Sequence, residues 1–316
     1  MEYTTLGRTG LKVSVAGLGC GGNSKVGLGK GQSDDQSVAL IRRAMDLGVN
    51  FFDTARAYGT EKVLGDAIKS VPRDSVVISS KHQAGGVTAD HIARAVDVSL
   101  RELQTDYIDI YHLHGVHPHE YDHAVNVLAP VLRRAQEQGK VRFLGITETS
   151  PNDHGQTMLN RAVNDDYWDV MMLGFNMMHQ VARTQVLPHT LDRDIGTLIM
   201  FAVRNLFSVP GRLAATMKEL AAEGRVPDWL ADSDDPLGFL IHENGATSVI
   251  DAAYRYVRHE PGADVVLFGT GNPAHLESNI ASILRPPLPE ADSARLAELF
   301  GHLQGVGLEV PGPVKT

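Results

Sequence analysis

Cysteine is almost missing from this chain: Cys20 is the only one in 316 residues. No intramolecular disulfide can form and a cysteine-rich zinc site is excluded, so a reducing compartment suits the sequence. Long hydrophobic runs are missing too. The apolar stretches are of strand length, far short of the roughly 20 residues that a membrane-spanning helix needs. The first residues, MEYTTLGRTGLKV, lack the charged start, apolar middle and small-residue cleavage site of a signal peptide. The expectation is a soluble, cytoplasmic protein. Blocks of like charge are also absent, because the net charge of −9 comes from interspersed acids and bases. That pattern disfavours a nucleic-acid or anionic-membrane partner and favours a small-molecule substrate. It carries no signal for monomer against homo-oligomer. No linker divides the chain, and one domain over residues 1–316 is expected.

What is present is alternation. Tyr3 to Leu6 and Leu11 to Val13 flank the turn Gly7-Arg8-Thr9-Gly10, which predicts a small opening hairpin within residues 1–14. Short apolar runs at Val15–Gly19, Phe51-Phe52, Val76–Ile78, Tyr107–Leu113, Val141–Ile146, Val170–Leu173, Gly196–Phe201 and Val265–Phe268 then read as strands. Helical spacing of apolar residues follows each, as at Gln36–Leu47, Glu61–Ile68, Ala89–Leu103 and Val125–Gln138. Eight strand-helix units in about 300 residues is the count of a (β/α)₈ barrel of the TIM type. The hairpin would then plug the N-terminal mouth. The period breaks across 203–247, a long insertion after the seventh strand of the kind that is usually functional. A C-terminal helix and tail occupy 291–316.

A doubly wound sheet is the competing architecture. Gly17-Leu18-Gly19-Cys20-Gly21-Gly22 satisfies G-x-G-x-x-G, and Asp53 ends the next strand where a Rossmann fold places its ribose-binding acid. The motif requires its last glycine to open a helix, however, and here a further glycine-rich loop follows. The barrel is the better reading.

In a barrel the chemistry gathers at the C-terminal strand ends. Asp53 ends the second strand, with Tyr58 in the loop behind it; Lys81 ends the third and His114 the fourth. Lysine is unusual at a buried strand end unless paired, and Asp53 is the obvious partner. Singly, each has a bland reading: a helix cap, a structural ion pair, a core histidine. Together they form a proton-transfer set. A free tyrosine, with a pKa of about 10, is a poor donor and acceptor near neutrality. A neighbouring Lys81 ammonium would lower that value, Asp53 would hold the lysine, and His114 would orient a substrate oxygen. None of these is a redox centre, so a reduction would borrow its hydride from a nicotinamide cofactor.

The runs Leu6–Ser14, Phe52-Asp53-Thr54-Ala55-x-x-Tyr58-Gly59, Ser80-Lys81 and Asp109-Ile110-Tyr111-x-Leu113-His114 resemble the aldo-keto reductase superfamily, with matches along essentially the whole chain. The resemblance implies a (β/α)₈ barrel that binds NADPH or NADH extended, without a Rossmann domain. It also implies a tetrad of Tyr58 as general acid/base, Lys81 and Asp53 tuning it, and His114 orienting the carbonyl of an aldehyde, ketone or sugar.

The cofactor positions it implies depart from the family in places. Gly19, Cys20 and Gly21 would bring backbone close to the cofactor. Gly145-Ile146-Thr147-Glu148 stands where the family usually has G-[VI]-S-N holding the nicotinamide carboxamide; an ionised Glu148 accepts hydrogen bonds but donates none. Met172 replaces a usual glutamine, and Phe201 stands where a tyrosine commonly stacks on nicotinamide. The stretch through Thr270 and Gly271 to Asn279 resembles the adenosine-phosphate region, where Asn272 and Asn279 match. Gly269 and His275 replace the Lys and Arg that often grip the 2′-phosphate, so NADP(H) is the family expectation and NAD(H) a real option.

Two rival functions keep the barrel. His112, His114, His117, His119 and His123 suggest a metal-dependent hydrolase, since H-x-H puts two imidazoles on one strand face; no metal is expected, because strands one, five and eight offer no histidine. Some relatives are non-catalytic regulatory subunits that bind the dinucleotide. The intact tetrad argues against that role.

Overall fold

The computed structural model describes residues 1–308, and the final part of the predicted tail, from 309 onward, lies outside the described residues. Strands β1 (Tyr3–Thr5) and β2 (Lys12–Ser14) form the antiparallel hairpin, pairing Tyr3 with Ser14 and Thr5 with Lys12. Eight parallel strands follow: β3 (Ala16–Gly19), β4 (Phe51–Asp53), β5 (Val77–Gln83), β6 (Ile108–Val116), β7 (Val141–Glu148), β8 (Val170–Gly174), β9 (Gly196–Met200) and β10 (Val265–Phe268). Each pairs with the next, and β10 returns to β3, so the barrel is closed. The fold is the predicted (β/α)₈ barrel.

Two apolar layers hold it. Inside, Phe51, Val77, Ile110, Val170, Met172, Leu198 and Val265 cluster with Leu6, Leu11 and Val13, so the hairpin plugs the barrel as its pattern foretold. Arg8 clamps the plug by donating to the Trp168 carbonyl at 2.9 Å and pairing with Asp169 at 3.2 Å. Outside, the helices lay their apolar stripes on the strands. In helix Ala89–Leu103 the buried positions are Ile92, Ala95, Val96, Ser99 and Leu103, the three-and-four spacing of one face. Thr88 caps its start by accepting from the His91 backbone N–H.

The Rossmann-like glycines have another use. A Cβ on Gly17 would stand 2.7 Å from the Val265 side chain and 3.0 Å from that of Phe51, so this glycine lets the barrel close between β3 and β10. Gly22, with φ of +68°, makes a turn rather than opening a helix; the next α-helix, Asp34–Asp46, begins twelve residues later behind the Ser33–Gln36 capping box.

Several boundaries move for identifiable reasons. Strand β5 runs two residues past Lys81 to Gln83, pairing Gln83 with His114. The single helix expected over 125–138 begins at Tyr121 and passes through a π-turn at Ala124–Leu128 before helix Ala129–Glu137. Pro130 has no N–H to give the carbonyl four residues back, so the ladder slips there. Pro188 similarly divides the helix expected over 184–191 into Ala182–Gln185 and Leu187–Asp192. The 203–247 insertion contains helices Asn205–Ser208 and Arg212–Ala222 and two short 3₁₀ turns.

Candidate active site

Asp53, the last residue of β4, and Lys81, in β5, point into the barrel mouth. Lys81 Nζ donates to Asp53 Oδ1 and Oδ2 at 2.6 Å each, and to the Thr54 carbonyl at 2.9 Å. All three ammonium protons are used, which is what a fully buried lysine requires. Ser79 Oγ adds a third hydrogen bond to the carboxylate, at 2.8 Å from Oδ1. Tyr58 lies across this pair, with Lys81 Nζ 5.2 Å from its ring centroid. Its hydroxyl stands 3.5 Å from His114 Nε2, and the two rings meet edge to face, 5.7 Å apart at 89°. The four residues nominated from successive strand ends are brought together.

Their surroundings give Gly21 and Cys20 a place beside the tetrad and add Ser79, Glu61, Thr54 and Thr60, which the sequence pattern missed. A Cβ on Gly21 would stand 2.5 Å from the Tyr58 ring, so this glycine makes room for the phenol. Cys20 is buried and its backbone N–H donates to the Asp53 carbonyl at 2.7 Å. Burial, reinforced by the Asp53 charge, pushes its thiol far above the ordinary range, so it is no nucleophile. Behind the loop, buried Glu61 receives Ser80 Oγ and Arg56 Nη1, each at 2.7 Å. Thr54 and Thr60 bond hydroxyl to hydroxyl at 2.8 Å. These contacts clamp both ends of the Tyr58 loop to β4 and β5.

The electrostatics differ from expectation in one respect. Burial raises the Tyr58 phenol above its usual value; Lys81 pulls it down, but by less. In the ligand-free chain the phenol is therefore a proton donor at neutral pH. Burial is the largest single effect on Lys81 and opposes its charge, yet Asp53 and Tyr58 together outweigh it and leave the ammonium raised. His114 is driven down to about 3, by burial first and the Lys81 charge second, so it works as a neutral imidazole.

The other histidines disperse. His112 is fully buried one layer deeper, its ring so close to β7 that a Cβ on Gly145 would stand 2.2 Å away. Rings of His117 and His119 lie 5.3 Å apart in the following loop, and His123 Nε2 is 2.9 Å from the Val87 carbonyl. Among the described residues, no group of three or more His, Cys, Asp or Glu side chains could share a metal ion. A cavity of about 330 Å³ opens at His114, lined also by Gln83, Gly85, Gly115, His117, Glu120 and Thr149. Its lining contains no hydrocarbon side chain. A second cavity, about 370 Å³, lies away from these groups, between residues 180–185 and 297–304.

Across the mouth, two nominated residues, Glu148 and Phe201, meet near one point. Gly174 ends β8, and a Cβ there would stand 2.9 Å from the Phe201 ring, 3.1 Å from Ser150 Oγ and 3.3 Å from Glu148 Oε1. Phe201 follows β9 with φ of +69°, a conformation that costs an aromatic residue energy and aims its ring here. Thr147 Oγ1 accepts from the Gly115 N–H at 2.7 Å. Met172, in place of the usual glutamine, is buried in the barrel interior. Further round, Gly269 to Asn272 follow β10. Asn272 caps helix Pro273–Ile283 by accepting from Ala274 N at 2.8 Å, and Gln32 donates to the Gly271 carbonyl at 2.9 Å. A Cβ on Gly271 would collide with Gly27 at 2.6 Å, and one on Gly269 would touch the Gly19 carbonyl at 3.3 Å, so glycine at both positions lets the β3 loop pack on the β10 loop. His275 is exposed and Asn279 half-buried on the helix that follows.

Comparison with known proteins decides the family. The model of the aldo/keto reductase family matches residues 17–300. This chain belongs to that family. Aldo/keto reductases are nicotinamide-dependent oxidoreductases, and the chain is one. L-Galactose dehydrogenase of Arabidopsis thaliana is 38% identical over 321 residues, covering 97% of this chain and 95% of its own. D-threo-aldose 1-dehydrogenase of a Pseudomonas species is 26% identical over 322 residues, covering 90% and 94%. Among solved structures, an aldo/keto reductase from Klebsiella pneumoniae in complex with NADP and acetate superposes with a TM-score of 0.68 at 23% identity, over 95% of this chain and 96% of that one. At that identity the likeness speaks for the reductase fold alone.

Proposed function

We propose that this chain is a sugar-directed aldo/keto reductase family dehydrogenase, interconverting an aldose or its lactol with the oxidised product, and that residues 1–316 act as one barrel unit. The observation that carries the substrate class is the mainly polar cavity beside His114, where Gln83, His117, Glu120 and Thr149 offer hydrogen-bond partners to several hydroxyls. The names of the two curated relatives, both sugar dehydrogenases, support it.

Tyr58 is the general acid/base. When bound, the nicotinamide cofactor supplies or accepts the hydride. Tyr58 gives its hydroxyl proton to the substrate oxygen in reduction and receives it in oxidation. Lys81, held charged by Asp53, stabilises the phenolate left behind. His114, neutral and 3.5 Å from the phenol, hydrogen-bonds the same oxygen and fixes its approach.

The residues present fit the cofactor. Phe201 offers an aromatic face, Glu148 Oε2 is a buried polar atom without a partner, and Thr147 stands beside it on β7. Gly19, Cys20 and Gly21 would border it on β3, and Gly269, Thr270, Gly271, Asn272, His275 and Asn279 would hold its adenosine end. NADP(H) is supported by the Klebsiella protein's NADP complex, and the absence of Lys and Arg at positions 269 and 275 supports NAD(H) as well. We read the compartment as cytoplasmic; no helix among the described residues is long and apolar enough to cross a membrane.

The deciding experiment is titration of the purified protein with NADPH, NADH and their oxidised forms, then a screen of aldoses against hydrophobic aldehydes with the cofactor that binds. Turnover of aldoses at higher kcat/KM than of aromatic aldehydes is expected. The reverse order would defeat the sugar reading, and binding without any turnover would favour a regulatory subunit.

A further inference from the structure

We propose that Glu148 is the electrostatic partner of the cationic ring of an oxidised nicotinamide cofactor, so that the site favours the oxidised over the reduced dinucleotide. This rests on the nicotinamide reading above and adds to it a residue that discriminates redox state. The geometry is asymmetric. Glu148 Oε1 accepts from Gly174 N, from Ser150 Oγ at 2.9 Å and from Gln156 Nε2 at 3.1 Å. Oε2, on the same buried carboxyl, has no partner. Gln156 cannot turn to serve it, because its amide also donates to the Gly174 carbonyl at 2.9 Å. Three donors on one oxygen are a cradle built for a carboxylate; the open second oxygen leaves that carboxylate one interaction short.

Phe201 supplies the location. A Cβ on Gly174 would stand 2.9 Å from its ring and 3.3 Å from Glu148 Oε1, so the aromatic face and the carboxyl are neighbours at this end of the barrel. An oxidised nicotinamide ring carries a positive charge and the reduced ring carries none. An acid here therefore distinguishes the two, where a neutral amide would not.

Without a ligand, burial raises the Glu148 carboxyl to about 7 against the pull of its three donors, and Asp153 in the following turn pushes the same way. No described residue forms an ion pair with it. The other charged or titratable groups at this end include the Lys81–Asp53 pair, Tyr58 and His114 across the mouth, Arg204 on the Phe201 ring at 4.6 Å, and His117 and Glu120 at the cavity. A cationic ring would lower the carboxyl's pKa, so binding the oxidised cofactor releases a proton near neutrality and binding the reduced form does not.

Calorimetric titration with NADP⁺ and NADPH, or with NAD⁺ and NADH if those bind better, at pH 6 and pH 8.5 tests this. In the wild-type protein the ratio of reduced to oxidised dissociation constants is expected to rise by about fivefold between the two pH values, as a carboxyl lowered by about one unit from about 7 requires. Glu148→Gln, which keeps the shape and removes the charge, should hold the ratio flat. Taking the ratio cancels every titration that affects both cofactors alike. Independently of any variant, titration at pH 7 in two buffers of different ionisation enthalpy should show proton release with the oxidised form and none with the reduced form, beyond that seen with 2′,5′-ADP for the phosphorylated pair or AMP for the other. A ratio independent of pH in the wild type, or the same slope in Glu148→Gln, overturns the assignment. Failure of either dinucleotide to bind the folded chain overturns the nicotinamide reading with it.

Discussion

Lys81 holds both carboxylate oxygens of Asp53 at 2.6 Å, inside a barrel mouth where the lysine has no exposed surface at all. An ion pair so placed is expensive to desolvate and more expensive to break. Asp53→Asn leaves a buried ammonium facing a neutral amide. The expected result is a loss of stability of about 3–5 kcal/mol and a fall in kcat of at least about a hundredfold. Denaturant unfolding and steady-state kinetics on the same preparation check both. A variant as stable and active as the wild type would remove this pair from the argument.

The proton economy of Tyr58 sets a direction. Because burial lifts the phenol above its ordinary range, it is protonated throughout neutral pH. The reduction rate, which needs the acid form, should stay level from pH 6 to 9. The oxidation rate needs the phenolate, and should climb about tenfold per pH unit over the same interval. Tyr58→Phe should nearly abolish both while leaving dinucleotide binding intact. A rising limb that persists in the Phe variant would assign the titration elsewhere.

His114 is neutral over the same span, since its imidazole is driven down to about 3. It contributes a hydrogen bond rather than a charge. His114→Gln, which keeps a donor and an acceptor, should retain at least about ten times the kcat/KM of His114→Ala, the difference of roughly one hydrogen bond. Equal losses in the two variants would count against an orienting role.

Gly21 is a sharper probe of positioning. A methyl group there would press on the Tyr58 ring at 2.5 Å, so Gly21→Ala must displace the phenol from Lys81 and His114. A fall in kcat of about a hundredfold is expected with dinucleotide affinity largely kept, as displacement of a reacting group by about 1 Å commonly costs that much. Unchanged kcat would mean that the loop yields without moving the hydroxyl.

At the adenosine end His275 is exposed on the first turn of the helix that Asn272 caps. A guanidinium fork holds phosphate better than an imidazole does. His275→Arg should tighten NADPH about tenfold and leave NADH unaltered, read by fluorescence titration of each. Equal effects on both would show that the 2′-phosphate lies elsewhere.

Much of this site was open to a reader of the sequence alone. Asp53, Tyr58, Lys81 and His114 each follow an apolar strand run, and the count of eight strand-helix units places strand ends around one mouth. Those signals are local, set by periodicity and by the cost of leaving charge at a strand end unpaired. The same locality limited them at the helices, where Pro130 and Pro188 divided runs whose apolar spacing looked continuous.

Tertiary structure decided the rest, because the deciding distances join residues far apart in the chain. The sequence names Tyr58 and Lys81, but only the packed fold fills the mouth so tightly that burial outweighs the ammonium and keeps the phenol protonated. It names Glu148 as a departure from an amide; the meeting of β7, the segment that follows it and the end of β8 supplies Gly174, Ser150 and Gln156 to one oxygen and leaves the other open. It shows Gly17 and Gly21 as parts of one motif, whereas the barrel uses the first to close β3 on β10 and the second to seat the Tyr58 ring. Residue type and spacing determine which groups reach the barrel mouth. Close packing in three dimensions determines which of them are charged, which are pressed together and which still lack a partner.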